Sequence, residues 1–124
     1  IVIMLCSINS TYLSYELMLQ SIITISTFST MLREGLSYSK KILSVNLMNN
    51  DIFEFPIEGI CKLKKCSYYE FKKRVDEIFS LSNKEYFSRI EKPPTYFMEF
   101  NSSVSAIDKI RKKISDYVDT NNVI

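Results

Sequence analysis

A chain of 124 residues, 46% hydrophobic and 24% charged, is long enough for one domain with a packed interior and is neither disordered nor fibrous in composition. Its 16 basic and 14 acidic residues leave a net charge of +2, too little to point to a polyanion partner, so any anion binding must be local. The lack of histidine removes the commonest general base, the usual zinc ligand and every serine–histidine or cysteine–histidine nucleophile.

The first half alternates β-rich runs with helical stretches, the pattern of βαβ units and a parallel sheet. Residues 1–5 predict a strand, and residues 12–19 a helix with Leu13, Leu17 and Met18 inward. The opening apolar run is far short of the ~20 residues that span a bilayer, and no basic segment precedes it, so it reads as neither a membrane span nor a signal peptide. The chain begins at Ile1 rather than Met, and an upstream portion is expected. Residues 22–25 predict a second strand, 29–38 a helix turning Met31, Leu32 and Leu36 to the sheet, and 41–45 a third strand. A right-handed crossover follows from such a unit.

Residues 46–56 hold Asn46, Asn49, Asn50, Asp51 and Pro56 and predict a surface loop anchored by Ile52, Phe53 and Phe55. Residues 60–63 allow a last short strand. The second half is mainly helical. Ser67 with Glu70 forms a capping box, and Phe71, Val75, Ile78 and Phe79 behind it make one apolar face. Ser82 with Glu85 repeats the signature and starts a helix ending near Ile90, before Pro93 and Pro94 break the pattern. Residues 96–100 fit no single state, with Met98 and Phe100 read as core. Ser105 with Asp108 opens a final helix through about Tyr117, its stripe formed by Ile107, Ile110, Ile114, Tyr117 and Val118.

Two basic clusters, Lys62, Lys64, Lys65, Lys72, Lys73 and Arg74, then Lys109, Arg111, Lys112 and Lys113, are interleaved with apolar residues and read as solvated faces, not nucleic-acid or lipid patches. Cys6, Cys61 and Cys66 cannot all pair and form no C-x-x-C, which favours a reduced, cytosolic setting and free thiols over a metal site. A glycine count of 2 leaves no glycine-rich phosphate loop.

The informative stretch is SIITISTFSTMLREGLSYSKKILSVN, residues 21–46. A strand runs into Ser26-Thr27-Phe28-Ser29-Thr30, and the helix behind carries Glu34. Hydroxyls and free backbone N–H groups thus gather at a helix N-terminus, where the dipole favours an anion such as phosphate. Glu34, about one turn further in, could accept hydrogen bonds from a sugar diol. The plain alternative makes Ser29 or Thr30 an ordinary N-cap, Glu34 a solvated helix residue and Arg33 a surface arginine. Tyr68, Tyr69 and Phe71 could stack on a base or sugar, with helix packing the simpler reading.

The run Ser29-Thr30-Met31-Leu32-Arg33-Glu34-Gly35-Leu36, then Ser39-Lys40-Lys41-Ile42-Leu43, resembles the S-T…E-A/G-L…G-K-K segment of GT-B glycosyltransferases of bacterial capsule and surface-polysaccharide synthesis. Tyr15-Glu16-Leu17 and Asn46 also fit such sequences. The resemblance implies an α/β fold: a Rossmann-like parallel sheet with flanking helices, the C-terminal lobe of a GT-B enzyme, and a helical C-terminal part. It implies a partial nucleotide-sugar-binding domain over residues 1–100 and, over 101–124, a helix that packs on a missing N-terminal lobe. Ser29 and Thr30 would meet the donor's diphosphate and Glu34 its ribose. The donor is a substrate; no cofactor or metal is implied, and no nucleic acid. The glycan acceptor and the catalytic base belong to the missing lobe, so a fragment of this extent is expected to be inactive alone, and the full-length enzyme to sit in the cytoplasm at the inner face of the membrane. One departure is Ser39, where the family has glycine at a position often left-handed.

Overall fold

Three strands, β1 (Ile23–Ser26), β2 (Lys41–Asn46) and β3 (Lys62–Lys64), form a parallel sheet of order β1-β2-β3 in this computed structural model, which describes residues 13–48, 50–98 and 103–121. The strand expected over residues 1–5 lies outside the described residues, as do Cys6, Asn49 and Phe100. Being central, β2 is buried along all six residues.

Helix α1 (Leu13–Gln20) leads into β1, and α2 (Thr30–Ser37) crosses from β1 to β2. Glycine lets these elements close up: a Cβ on Gly35 would lie 3.1 Å from Ile42 Cγ2 and 3.4 Å from Met18 Sδ. Leu32, Leu36 and Met18 are buried there, as their spacing predicts, while Leu13, Leu17 and Met31 are half-buried. The end of α2 is a Schellman motif, with Lys40 N–H donating to Gly35 O at 2.9 Å and Ser39 N–H to Leu36 O at 2.8 Å. Ser39 takes φ 56°, the left-handed backbone its position requires.

The β2–β3 connection contains a 3₁₀ turn, Asp51–Phe53, begun by Asn50 Oδ1 accepting Ile52 N–H at 3.0 Å. Phe55 is buried and Phe53 half-buried, but Ile52 is exposed, so two of the three expected anchors hold this loop. Strand β3 starts two residues later than the sequence pattern suggests, because Lys62 is the first residue in register with β2, opposite Ser44. Ile60 and Cys61 are instead buried in the approach to it.

Side chains alternate across the sheet. Ile42 meets α2, whereas the buried Lys41 sends Nζ to the carbonyls of Ile78, at 3.1 Å, and Leu81, at the end of α3 (Tyr68–Ser80). Helices α2 and α3 therefore cover opposite faces, and a lysine caps the second helix from beneath. Of the apolar face expected on α3, Phe71, Val75 and Ile78 turn inward and Phe79 does not. Arg74 takes the inner position instead, donating to Ile60 O at 3.0 Å and Lys62 O at 3.2 Å. Lys62 is not solvated either; its side chain is held by Glu54 and Glu58.

Helix α4 (Asn83–Ser88) delivers Tyr86, whose hydroxyl accepts from Ile42 N at 3.0 Å and donates to Ile42 O at 2.7 Å. Since β3 begins opposite Ser44, Ile42 has β1 on one side but no strand on its β3 side, and the phenol stands in for one. Desolvation pushes the Tyr86 pKa up, keeping the donor protonated. Both capping boxes are present as read. A 3₁₀ turn at Pro94–Tyr96 precedes Met98, which is exposed rather than core. The last helix, α5 (Ala106–Asn121), is exposed along its whole length, including Ile107, Ile110, Ile114, Tyr117 and Val118. No helix among the described residues is long and apolar enough to cross a membrane.

Candidate functional site at the β1–α2 junction

Where β1 ends, the chain turns through Thr27 and Phe28 and enters α2 with Ser29 as N-cap, its backbone extended at φ −155° and ψ 136°. Ser29 Oγ accepts the Met31 N–H at 3.2 Å and Ser29 O the Leu32 N–H at 3.2 Å. Those contacts use two of the orphan donors of the first turn. The Thr30 amide and the hydroxyl protons of Ser29 and Thr30 remain for a ligand.

A cavity of about 30 Å³ sits against this turn, walled by Thr27, Ser29, Thr30 and Arg33 on one side and by Phe53, Glu54 and Phe55 on the other. Aromatic contacts fix the far wall: Phe28 meets Phe53 edge-on at 5.4 Å, Phe55 meets Phe97 at 5.8 Å, and the Arg33 guanidinium lies 5.5 Å above the Phe97 ring. Arg33 is thus partly covered, not the free surface arginine of the plain reading.

Glu54 brings a negative charge to this wall, already compensated. It pairs with Lys62 at 3.2 Å and Lys64 at 3.4 Å and accepts from Asn46 Nδ2 at 2.9 Å. Desolvation works to raise its pKa, but the hydrogen bonds from Asn46 and Lys62, with the charges of both lysines, hold it below the ordinary range. An incoming anion therefore meets a carboxylate that two lysines neutralise, with Arg33 alongside.

Ser29 and Thr30 share this cavity, and Glu34 does not. The Glu34 carboxylate accepts a hydrogen bond from the Tyr15 hydroxyl of α1, which with the Glu34 charge raises the tyrosine's pKa. Glu34 therefore ties α1 to α2 one turn away from the cavity.

Compared with protein-family models, curated proteins and solved structures, the chain matches none. Hydroxyls, an amide at a helix N-terminus and a guanidinium can bind and orient an anion; none of them is a nucleophile activated by a base. Among the described residues no group of three or more Cys, Asp or Glu is arranged to hold a metal ion. Cys61 is buried, its thiol pushed up to about 11 chiefly by desolvation, so it is inert.

The sequence missed the far wall. Phe53 and Phe55 were legible as loop anchors, but nothing local announced that they, Glu54 and Phe97 would close over the α2 turn, because those contacts depend on how the β2–β3 connection folds back.

Proposed function

We propose that this chain is the donor-binding half of a GT-B glycosyltransferase of surface-polysaccharide synthesis, binding a nucleotide-activated sugar and leaving the acceptor and the catalytic base to a separate lobe. The observation that carries the reading is the β1–α2 junction. At the carboxyl end of a parallel strand, where α/β sheets bind ligands, the Ser29 and Thr30 hydroxyls meet a helix N-terminus and line a cavity with Arg33. Two further features support it. The sheet is parallel with helices on both faces, as a Rossmann-like lobe requires, and Ser39 takes the left-handed conformation at the position where the family carries glycine.

In this reading the donor's diphosphate receives hydrogen bonds from the Thr30 amide and the two hydroxyls, and Arg33 balances its charge. Glu34 accepts from the ribose diol, exchanging its bond with Tyr15 for one with the ligand. The chain binds and orients; it does not break the glycosidic bond. Calorimetric titration with a panel of nucleoside diphosphates is expected to give binding that Thr30→Val and Glu34→Ala each weaken about 5- to 30-fold, the equivalent of one lost hydrogen bond to a charged or polar group. A panel without binding, or binding indifferent to both substitutions in variants shown to be folded by circular dichroism, contradicts it.

One observation favours a different class of function. The exposed apolar stripe of α5 suits a non-enzymatic α/β module that binds another protein chain through this helix. That reading predicts concentration-dependent association in sedimentation that nucleotide leaves unchanged.

A further inference from the structure

The cavity at Ser29 and Thr30, about 30 Å³, has room for one small polar group and not for a nucleotide sugar. On the opposite face of the sheet, between the carboxyl ends of the strands and the start of α3, a second cavity of about 430 Å³ opens. That volume lies within the ~300–1,000 Å³ usual for small-molecule sites. One wall is Ile25 of β1 and Val45 of β2; facing chemistry comes from Tyr68 and Phe71, three residues apart on α3 and so on one side of that helix. Thr27 lines both cavities, so both lie at the end of β1. Ser26 and Thr27 add hydroxyls at this edge, and none of the described residues lining the larger cavity is charged.

Branched aliphatic side chains on one wall and aromatic rings on the other suit a flat group with apolar faces, and hydroxyls at the sheet edge suit its polar rim. A charged group would find no counter-ion there. We propose that this cavity holds an uncharged ring, nucleobase or pyranose, of the same ligand whose phosphate is bound at Ser29 and Thr30. The link to the phosphate rests on the donor-binding reading; the affinity of the cavity for a ring does not. Tyr68, 78% exposed at the cavity's edge, would cover the bound ring.

Cys66 lines the cavity and is partly exposed, whereas Cys61 is buried, so alkylation of Cys66 reports occupancy and Cys61 serves as an internal control. In a Cys6→Ser background, iodoacetamide labelling of Cys66 is followed by peptide mass spectrometry with uridine, methyl glucoside, uridine diphosphate or inorganic phosphate present. A ring-bearing probe at tenfold its Kd is expected to slow labelling about tenfold, with inorganic phosphate without effect. Protection by uridine alone identifies a nucleobase, and by the glucoside alone a pyranose. Tyr68→Ala, an exposed position whose change spares the fold, is expected to weaken the protecting ring about 5- to 100-fold through lost stacking. The proposal is overturned if no ring-bearing probe protects Cys66, if phosphate protects it equally, or if Tyr68→Ala leaves protection unchanged. Uridine that protects while uridine diphosphate binds no tighter would remove the phosphate reading and leave the ring site standing. Uridine diphosphate that binds but leaves Cys66 freely labelled would do the opposite.

Discussion

Strand β2 and helix α5 are opposite extremes of one chain. All six residues of β2 are buried, even Lys41, Ser44 and Asn46; Lys41 holds the end of α3, and Asn46 holds the following loop through Asn50 and Glu54. Helix α5 has sixteen residues and a regular apolar stripe, yet every one of them is exposed. The difference shows that local signals decide whether a helix forms, while nonlocal hydrogen bonds decide what becomes core. A stripe alone does not bring α5 onto the sheet, whereas a lysine and a tyrosine far apart in sequence lock α3 and α4 to it.

The largest effect is expected at the β3 approach. Gly59 has φ 124°, and a Cβ there would lie 2.2 Å from Arg89 O, so Gly59→Ala combines backbone strain with a backbone clash and is expected to cost about 3 kcal/mol or more. Guanidinium denaturation measures the loss. Tyr86→Phe removes the partner of both buried backbone groups of Ile42 at nearly constant volume and should lower stability by about 2–3 kcal/mol. A neutral result would mean that the hydroxyl does not substitute for a strand.

Smaller effects are expected at the end of α2 and on α5. Ser39→Gly relieves a left-handed serine, and the gain, offset in part by the flexibility of glycine when unfolded, should be about 0.5–1 kcal/mol of added stability. Ile110→Gln on α5, at a position 59% exposed, should shift the midpoint by less than about 0.5 kcal/mol. A large loss there would place α5 in the folding unit after all.

The same contrast explains what could be read from the sequence. Strands β1 and β2 and helix α2 fell within a residue or two of their expected bounds, because alternation, the Ser29 cap and the Ser39 stop are local. Both capping boxes were legible for the same reason. The start of β3 was not, since register against β2 sets it. Arg74 and Lys62 read as solvated charges, and only the tertiary fold supplies the carbonyls and carboxylates that draw them in. At the candidate site, Ser29 and Thr30 were visible as a helix start. The Glu34–Tyr15 pairing and the wall of Phe53, Glu54 and Phe55 join residues that no short window connects.

The carboxyl end of β1 is the proposed binding edge of this molecule. Amide hydrogen exchange across the whole chain, with and without saturating uridine diphosphate, tests it most directly. Exchange is expected to slow across residues 27–32, at the turn into α2, and to stay unchanged in α5. Unchanged exchange at that turn, or protection confined to α5, would contradict it.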